Sequence, residues 1–158
     1  MLWFSKGGIT IFRMFSSAIA KKRAKVLLLH TSVALVLGLI VYLIFRPDAG
    51  IARLIYRITG INAPNIPFAE GNGIFLRHYL ADFLWAYALT ISLNLISIET
   101  PGKMGAMFAL SLFVGCIVEL LQGAGILFGT YDPMDIVIQI CAAIIAETIV
   151  LIIFRKEV

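Results

Sequence analysis

Asp82, Glu119, Gln122, Asp135 and Gln139 stand within long apolar stretches, where lipid should exclude them. Arg77 and His78 open the stretch that holds Asp82, and Thr130 and Asp132 precede the one that holds Asp135. A charged side chain at the bilayer centre costs about 2.5–3.5 kcal/mol on insertion scales, so it is kept where it pairs, faces a cavity or works. The chemistry open to such a set is limited. Glu119 or Asp82 can serve as acid or base, with His78 or Arg77 holding a phosphate. Glu119, Asp82 and His78 are thus the catalytic candidates, with no catalytic role assigned among them. Carboxyls and carboxamides can equally bind a polar headgroup, or clamp one helix to another. Metal binding is not expected, because no ligand pair has a tight spacing such as H-E-x-x-H. There is no Ser–His–acid set and no Gly-rich phosphate loop, so no cofactor is expected either.

The spacing brings these groups together. His78 and Asp82 are four apart, Glu119 and Gln122 three, Asp135 and Gln139 four, so on helices each pair shares a face. Glu119 lies about nine residues from the end of its apolar stretch, roughly 13 Å deep at 1.5 Å per residue. The link from Gly125 to Pro133 is short, which makes the flanking helices antiparallel neighbours. Gln139 then falls at nearly the depth of Glu119, and a hydrogen bond between them is expected. Asp132 or Asp135 should cap the last helix at its positive end, with Pro133 in the first turn.

The elements that position these groups are membrane helices. The chain of 158 residues is 61% hydrophobic and 14% charged, with a mean hydropathy of +0.99. A soluble domain is nearer 45–50% apolar and about 25% charged. Four continuous stretches are long enough to span: 26–45, about 74–98, about 105–128, and 134–154. They do not alternate, so helices are preferred to barrel strands. The expected fold is an all-α membrane protein. A basic cytoplasmic segment, 1–25, precedes a four-helix bundle over 26–158. The first apolar stretch is 20 residues long and has no following small-x-small site, unlike a cleaved signal peptide.

Charge sets the orientation. With the N-terminus inside, that side carries nine Lys and Arg, led by the cluster Lys21, Lys22, Arg23 and Lys25, and the other side carries four. Both termini are therefore expected in the cytoplasm. This asymmetry also explains the net charge of +4, so nucleic acid is not an expected partner. The loop from Arg46 to Gly73 places Ile51, Leu54, Ile55 and Ile58 at helical spacing, with Arg53 and Arg57 four apart on another face. That reads as a short interfacial helix whose arginines, with Arg77, attract a phosphate or carboxylate, followed by turns at Pro64, Pro67, Gly71 and Gly73. Met1–Ala20 fits either a basic amphipathic helix or a tail. Cys116 and Cys141 both fall in spans, read as small buried hydrophobes. His30 and Glu147 are placed near the cytoplasmic ends of their spans, away from the site.

Glu119-Leu120-Leu121-Gln122, then Gly129-Thr130-Tyr131-Asp132-Pro133-Met134-Asp135 and Gln139, resembles the VanZ-like family of small bacterial membrane proteins. Glu119, Gln122, Asp135 and Gln139 match the family's Glu-x-x-Gln and following Asp and carboxamide positions. Gln139 stands where Asn is usual, the loop Arg is absent, and Ala142 or Ala143 replaces a Gly, as in a divergent branch. The resemblance covers roughly Arg77 to Ala146. It implies a multi-pass protein of the bacterial cytoplasmic membrane, and some members are linked to teicoplanin resistance. The ligand site expected is Arg53, Arg57, Arg77, His78, Asp82, Glu119, Gln122, Asp132, Asp135 and Gln139. Its expected partners are a membrane lipid headgroup, a lipid-linked cell-wall precursor or a glycopeptide. A small membrane hydrolase or transferase, and a transporter or channel subunit, stay open as alternatives, as does oligomeric state. Cysteines placed at Asn62 and Asn72 should label from outside the cell, and one at Lys103 should not. Outside labelling at Lys103 would overturn the topology.

Overall fold

A computed structural model describes residues 17–46, 50–62, 79–127 and 131–155. Arg77, His78, Thr130, most of Met1–Ala20 and the turn-rich stretch 63–73 lie outside these residues. Among the described residues there are five α-helices and no strand. They are α1 (Ala18–Phe45), α2 (Gly50–Thr59), α3 (Leu80–Ile96), α4 (Met104–Gly123) and α5 (Pro133–Arg155), with a 3-10 turn at Pro101–Lys103 before α4.

Helices α1, α4 and α5 are long and apolar enough to cross a membrane. Their large apolar side chains point outward in number. Leu29 is 63% exposed and Phe113 61%, as suits helices bathed in lipid rather than water. The expected second span is shorter than its apolar run. Helix α3 has 17 residues, roughly 25 Å at 1.5 Å per residue, against a hydrocarbon core of about 30 Å. It stops at Ile96, where Ser97–Glu99 turn ahead of Pro101.

The other boundaries have local causes. Helix α1 begins eight residues before the apolar run, because Ser17 Oγ accepts the Ala20 N–H at 2.9 Å as an N-cap. Helix α4 ends at Gly123 rather than near residue 128. Gly125 adopts a left-handed φ of 70°, and the Ile126 N–H returns to the Leu121 carbonyl at 2.9 Å. At the start of α5, Asp132 Oδ1 accepts the Met134 N–H at 2.9 Å, the cap expected there.

Helix α3 is the hub of the bundle, packed against α1, α5 and α4. Small residues let the backbones approach. Ala34 and Gly38 are buried on α1, Ala81 and Ala88 on α3, and Ala142, Ala143 and Ala146 on α5. A Cβ at Gly38 would sit 3.6 Å from Leu84 Cβ, so α1 and α3 meet almost backbone to backbone. The apolar core gathers at one end of the bundle, from Ala24, Leu27, Ile91, Ile98, Met104, Ala146 and Val150. Arg23 seals that end, donating to the Phe154 carbonyl at 3.0 Å and lying 4.4 Å over its ring.

Helix α2 packs through Ala52 and Tyr56, whose hydroxyl donates to the Leu43 carbonyl. Leu54 and Ile58 face outward, so the apolar face expected from spacing turns away from the bundle. Cys116 and Cys141 are free, and Cys141 is exposed on the outward face of α5 rather than buried. Replacing fully buried Ala146 by Leu should overpack the α3–α5 contact. The expected cost is about 1–3 kcal/mol, read as a lowered unfolding midpoint, whereas Ile145→Leu on the exposed face should change little.

Candidate functional site

At the end of the bundle away from the apolar core, α3, α4 and α5 enclose a cavity of about 380 Å³. Each helix lines it with a stripe of polar or small residues at helical spacing. Helix α3 presents Asp82, Ala86 and Thr90; α4 presents Ser111, Gly115, Glu119 and Gln122; α5 presents Gln139 and Ala143. Tyr42 from α1 and Trp85 from α3 add aromatic walls.

Helix α4 explains why the cavity exists. Its buried residues are only Met104, Ser111 and Glu119, and it lines the cavity with Leu112, Val114 and Val118 beside Ser111, Gly115, Glu119 and Gln122. At Gly115 an added Cβ would collide with Gln139 Oε1. The glycine thus leaves room for the carboxamide, whose Nε2 donates to Glu119 Oε1 at 3.4 Å. This is the contact expected from counting depth along the two stretches, and it is a long one.

Glu119 is 4% exposed, and its Oε2 has no hydrogen-bond partner among the described residues. An ionised carboxylate accepts at about four lone-pair sites. One long bond leaves most of that demand unmet, and an orphaned buried polar atom costs about 1–3 kcal/mol. This carboxyl lies on the wall of the cavity with acceptor capacity to spare.

The charges around it are mostly negative. Asp82 lies within electrostatic range of Glu119, and Asp135 of both. Arg46 Nη1 stands 4.0 Å from Asp82 Oδ2, and both side chains are partly exposed. This ion pair sits at the mouth. Asp132 is occupied elsewhere, capping α5 and accepting the Tyr79 hydroxyl at 3.2 Å.

The structure therefore brings together Asp82, Glu119, Gln122 and Gln139, with Asp135 beside them. It does not bring in Arg53 and Arg57, which are exposed on α2 and line no part of the cavity. Sequence reasoning missed Tyr42, Trp85, Thr90, Ser111 and Gly115, and counted Arg46 only toward orientation. The missed signal was the four-residue stripe through Asp82, Ala86, Thr90 and Asn94.

Polar contacts continue below the cavity. Thr90 donates to Ser111 Oγ at 3.0 Å, and Asn94 Nδ2 to Glu147 Oε2 at 2.8 Å. Asn94 is fully buried, so Glu147, placed near the end of its span, pairs inward. His30 stays apart from this site, as expected. It meets the Tyr87 hydroxyl at 2.6 Å beside a separate apolar groove between α1 and α3. No group of three metal-ligating side chains is present among the described residues.

Comparison with known protein families, curated proteins and solved structures found no match. Double-mutant cycles should rank the polar pairs by geometry. Interhelical hydrogen bonds in membranes average about 0.6 kcal/mol and reach about 1.7. Asn94→Ala with Glu147→Ala should fall toward the upper value. Glu119→Ala with Gln139→Ala should fall toward the lower, measured by reversible unfolding in detergent. The reverse order would show that the cavity pair is the tighter clamp.

Proposed function

We propose that the chain is a four-span protein of a bacterial cytoplasmic membrane, with both termini inside, whose cavity binds the polar headgroup of a membrane-borne ligand at the outer leaflet. The observation that carries this reading is Glu119, buried on a cavity wall with one oxygen unmet. The cavity volume of about 380 Å³ falls in the ordinary range for small-ligand sites. Below it, Ile91, Ala146 and Val150 close the bundle with apolar packing, so the site is a pocket with a floor. The nine-to-four charge count directs the cavity outward. Helix α3 serves as the fourth span, its short length made up by interfacial residues at its ends. The VanZ-like spacing of Glu119, Gln122, Asp135 and Gln139 agrees with a role in the cell envelope. The ligand is then a lipid, a lipid-linked wall precursor or an envelope-active antibiotic. Among the described lining residues no hydroxyl or thiol is hydrogen-bonded to an activating base, which favours binding over hydrolysis or transfer.

Transport is the second reading, and one observation favours it. The Thr90–Ser111 and Asn94–Glu147 pairs carry polarity from the cavity toward the opposite end of the bundle.

Glu119→Gln and Asp135→Asn separate function from scaffolding. The amide of Glu119→Gln still hydrogen-bonds, so a mere clamp would keep both membrane level and phenotype. The expected outcome is normal membrane levels with lost protection against lipoglycopeptides or other envelope-active compounds in an expressing host. Two folded, fully active variants would overturn the reading.

A further inference from the structure

We infer that the group recognised in this cavity is a cation: the ammonium of an amine-bearing amphiphile lying in the bilayer. The inference rests on the headgroup-binding reading and narrows it to one charge. Asp82 and Glu119 line the cavity and Asp135 stands within electrostatic range of both. The cation beside them, Arg46, is held at the mouth by Asp82 at 4.0 Å. The arginines that would favour a phosphate, Arg53 and Arg57, face outward on α2.

Three features fit an ammonium in particular. Glu119 Oε2 is an acceptor with no donor, on a side chain 4% exposed, and an ammonium brings N–H donors with the complementary charge. Gln139 already donates to the other oxygen, so the carboxylate is oriented before the ligand arrives. Trp85 lines the same cavity, and an aromatic ring attracts a cation where water is scarce, as the Tyr42 ring already does for Arg46 at 5.8 Å. An anion would meet the Asp82 and Glu119 carboxyls on the walls, with Asp135 within electrostatic range, and like charge is costly away from water. The amphiphile's chain has a place as well. Trp85 is 44% exposed, and Phe113, Ile117 and Leu120 cover the outer face of α4, so the cavity is bordered by lipid-facing apolar surface.

The test compares headgroups on one chain. Octadecylamine, octadecyl phosphate and octadecanol are titrated into nanodiscs holding the full protein with Trp3→Phe, which leaves Trp85 as the sole tryptophan. Trp85 emission reports occupancy. The amine should bind at least about tenfold more tightly than the phosphate or the alcohol, the scale of one charge-assisted hydrogen bond. Glu119→Gln and Asp82→Asn should each weaken the amine about tenfold, and Glu99→Gln, outside the cavity, should not. The wild-type headgroup series decides the matter even if a variant fails to fold. Tightest binding of the phosphate would overturn the cation and leave the pocket standing. Equal binding of amine and alcohol would show recognition of the chain alone and also overturn it. No binding by any of the three would overturn the headgroup-binding reading itself.

Discussion

A polar side chain on a helix in lipid has no solvent to turn to, so it must find its partner on another helix. In this chain those demands converge on α3. Asp82 pairs with Arg46 at the end of α1, Thr90 bonds Ser111 on α4, and Asn94 bonds Glu147 on α5. Tyr87 meets His30 and Ser92 meets Thr31, both on α1. A helix with obligations to three neighbours must lie between them, and α3 does. The small residues follow from the same requirement. Polar pairs of 2.8–3.0 Å need backbones drawn close, which Gly38, Ala88 and the alanines of α5 allow. Packing and hydrogen bonding thus specify one arrangement together, without help from a hydrophobic driving force between helices.

That arrangement has two unlike ends. Around Leu27, Ile91 and Val150 the helices meet through filled apolar contacts. Around Glu119 they leave a cavity whose walls combine Asp82, Glu119, Gln122 and Gln139 with Leu112, Val114, Val118 and Ile136. A packed bundle relaxes only partly around a void. This one is held open because closing it would press Asp82 and Glu119 together and force Gln139 against Gly115. The void is therefore a consequence of residue type at a few positions rather than of loose packing throughout.

Much of this was legible in the sequence. The capped start of α5 at Asp132 and the depth match of Glu119 with Gln139 followed from spacing along single helices, whereas the Ser17 cap of α1 and the Gly125 stop of α4 did not. What escaped notice depended on which helix sits in the middle. Nothing in one sequence says that α3 rather than α4 is the hub, so the fully buried Asn94 carried no signal. Glu147 was legible only as a residue near a span end, because its partner lies on a helix distant in sequence. Gly115 carried no signal until Gln139 was seen against it. The arginines of α2 depend on tertiary packing in the same way. Their spacing showed a shared face, yet the direction of that face is set by Ala52 and Tyr56 docking on the bundle.

The floor of the cavity bears on how the molecule works. Asn94 and Glu147 are polar, but they are bonded to each other, and Asn94 lies one turn from Ile91 and Ile98 in the apolar core. A solute passing that level would have to part the pair and spread α3 from α5 where Ala142, Ala143 and Ala146 hold them closest. Such an opening breaks packing and a hydrogen bond at once, with no water at hand to take over the freed groups. Binding at Glu119 asks for nothing comparable. The carboxylate is already oriented, the space already present, and the bordering surface already apolar. On the proposed headgroup-binding reading the ligand enters from one side, and passage to the other would require a second arrangement of the hub helix, with different partners for Asn94 and Glu147.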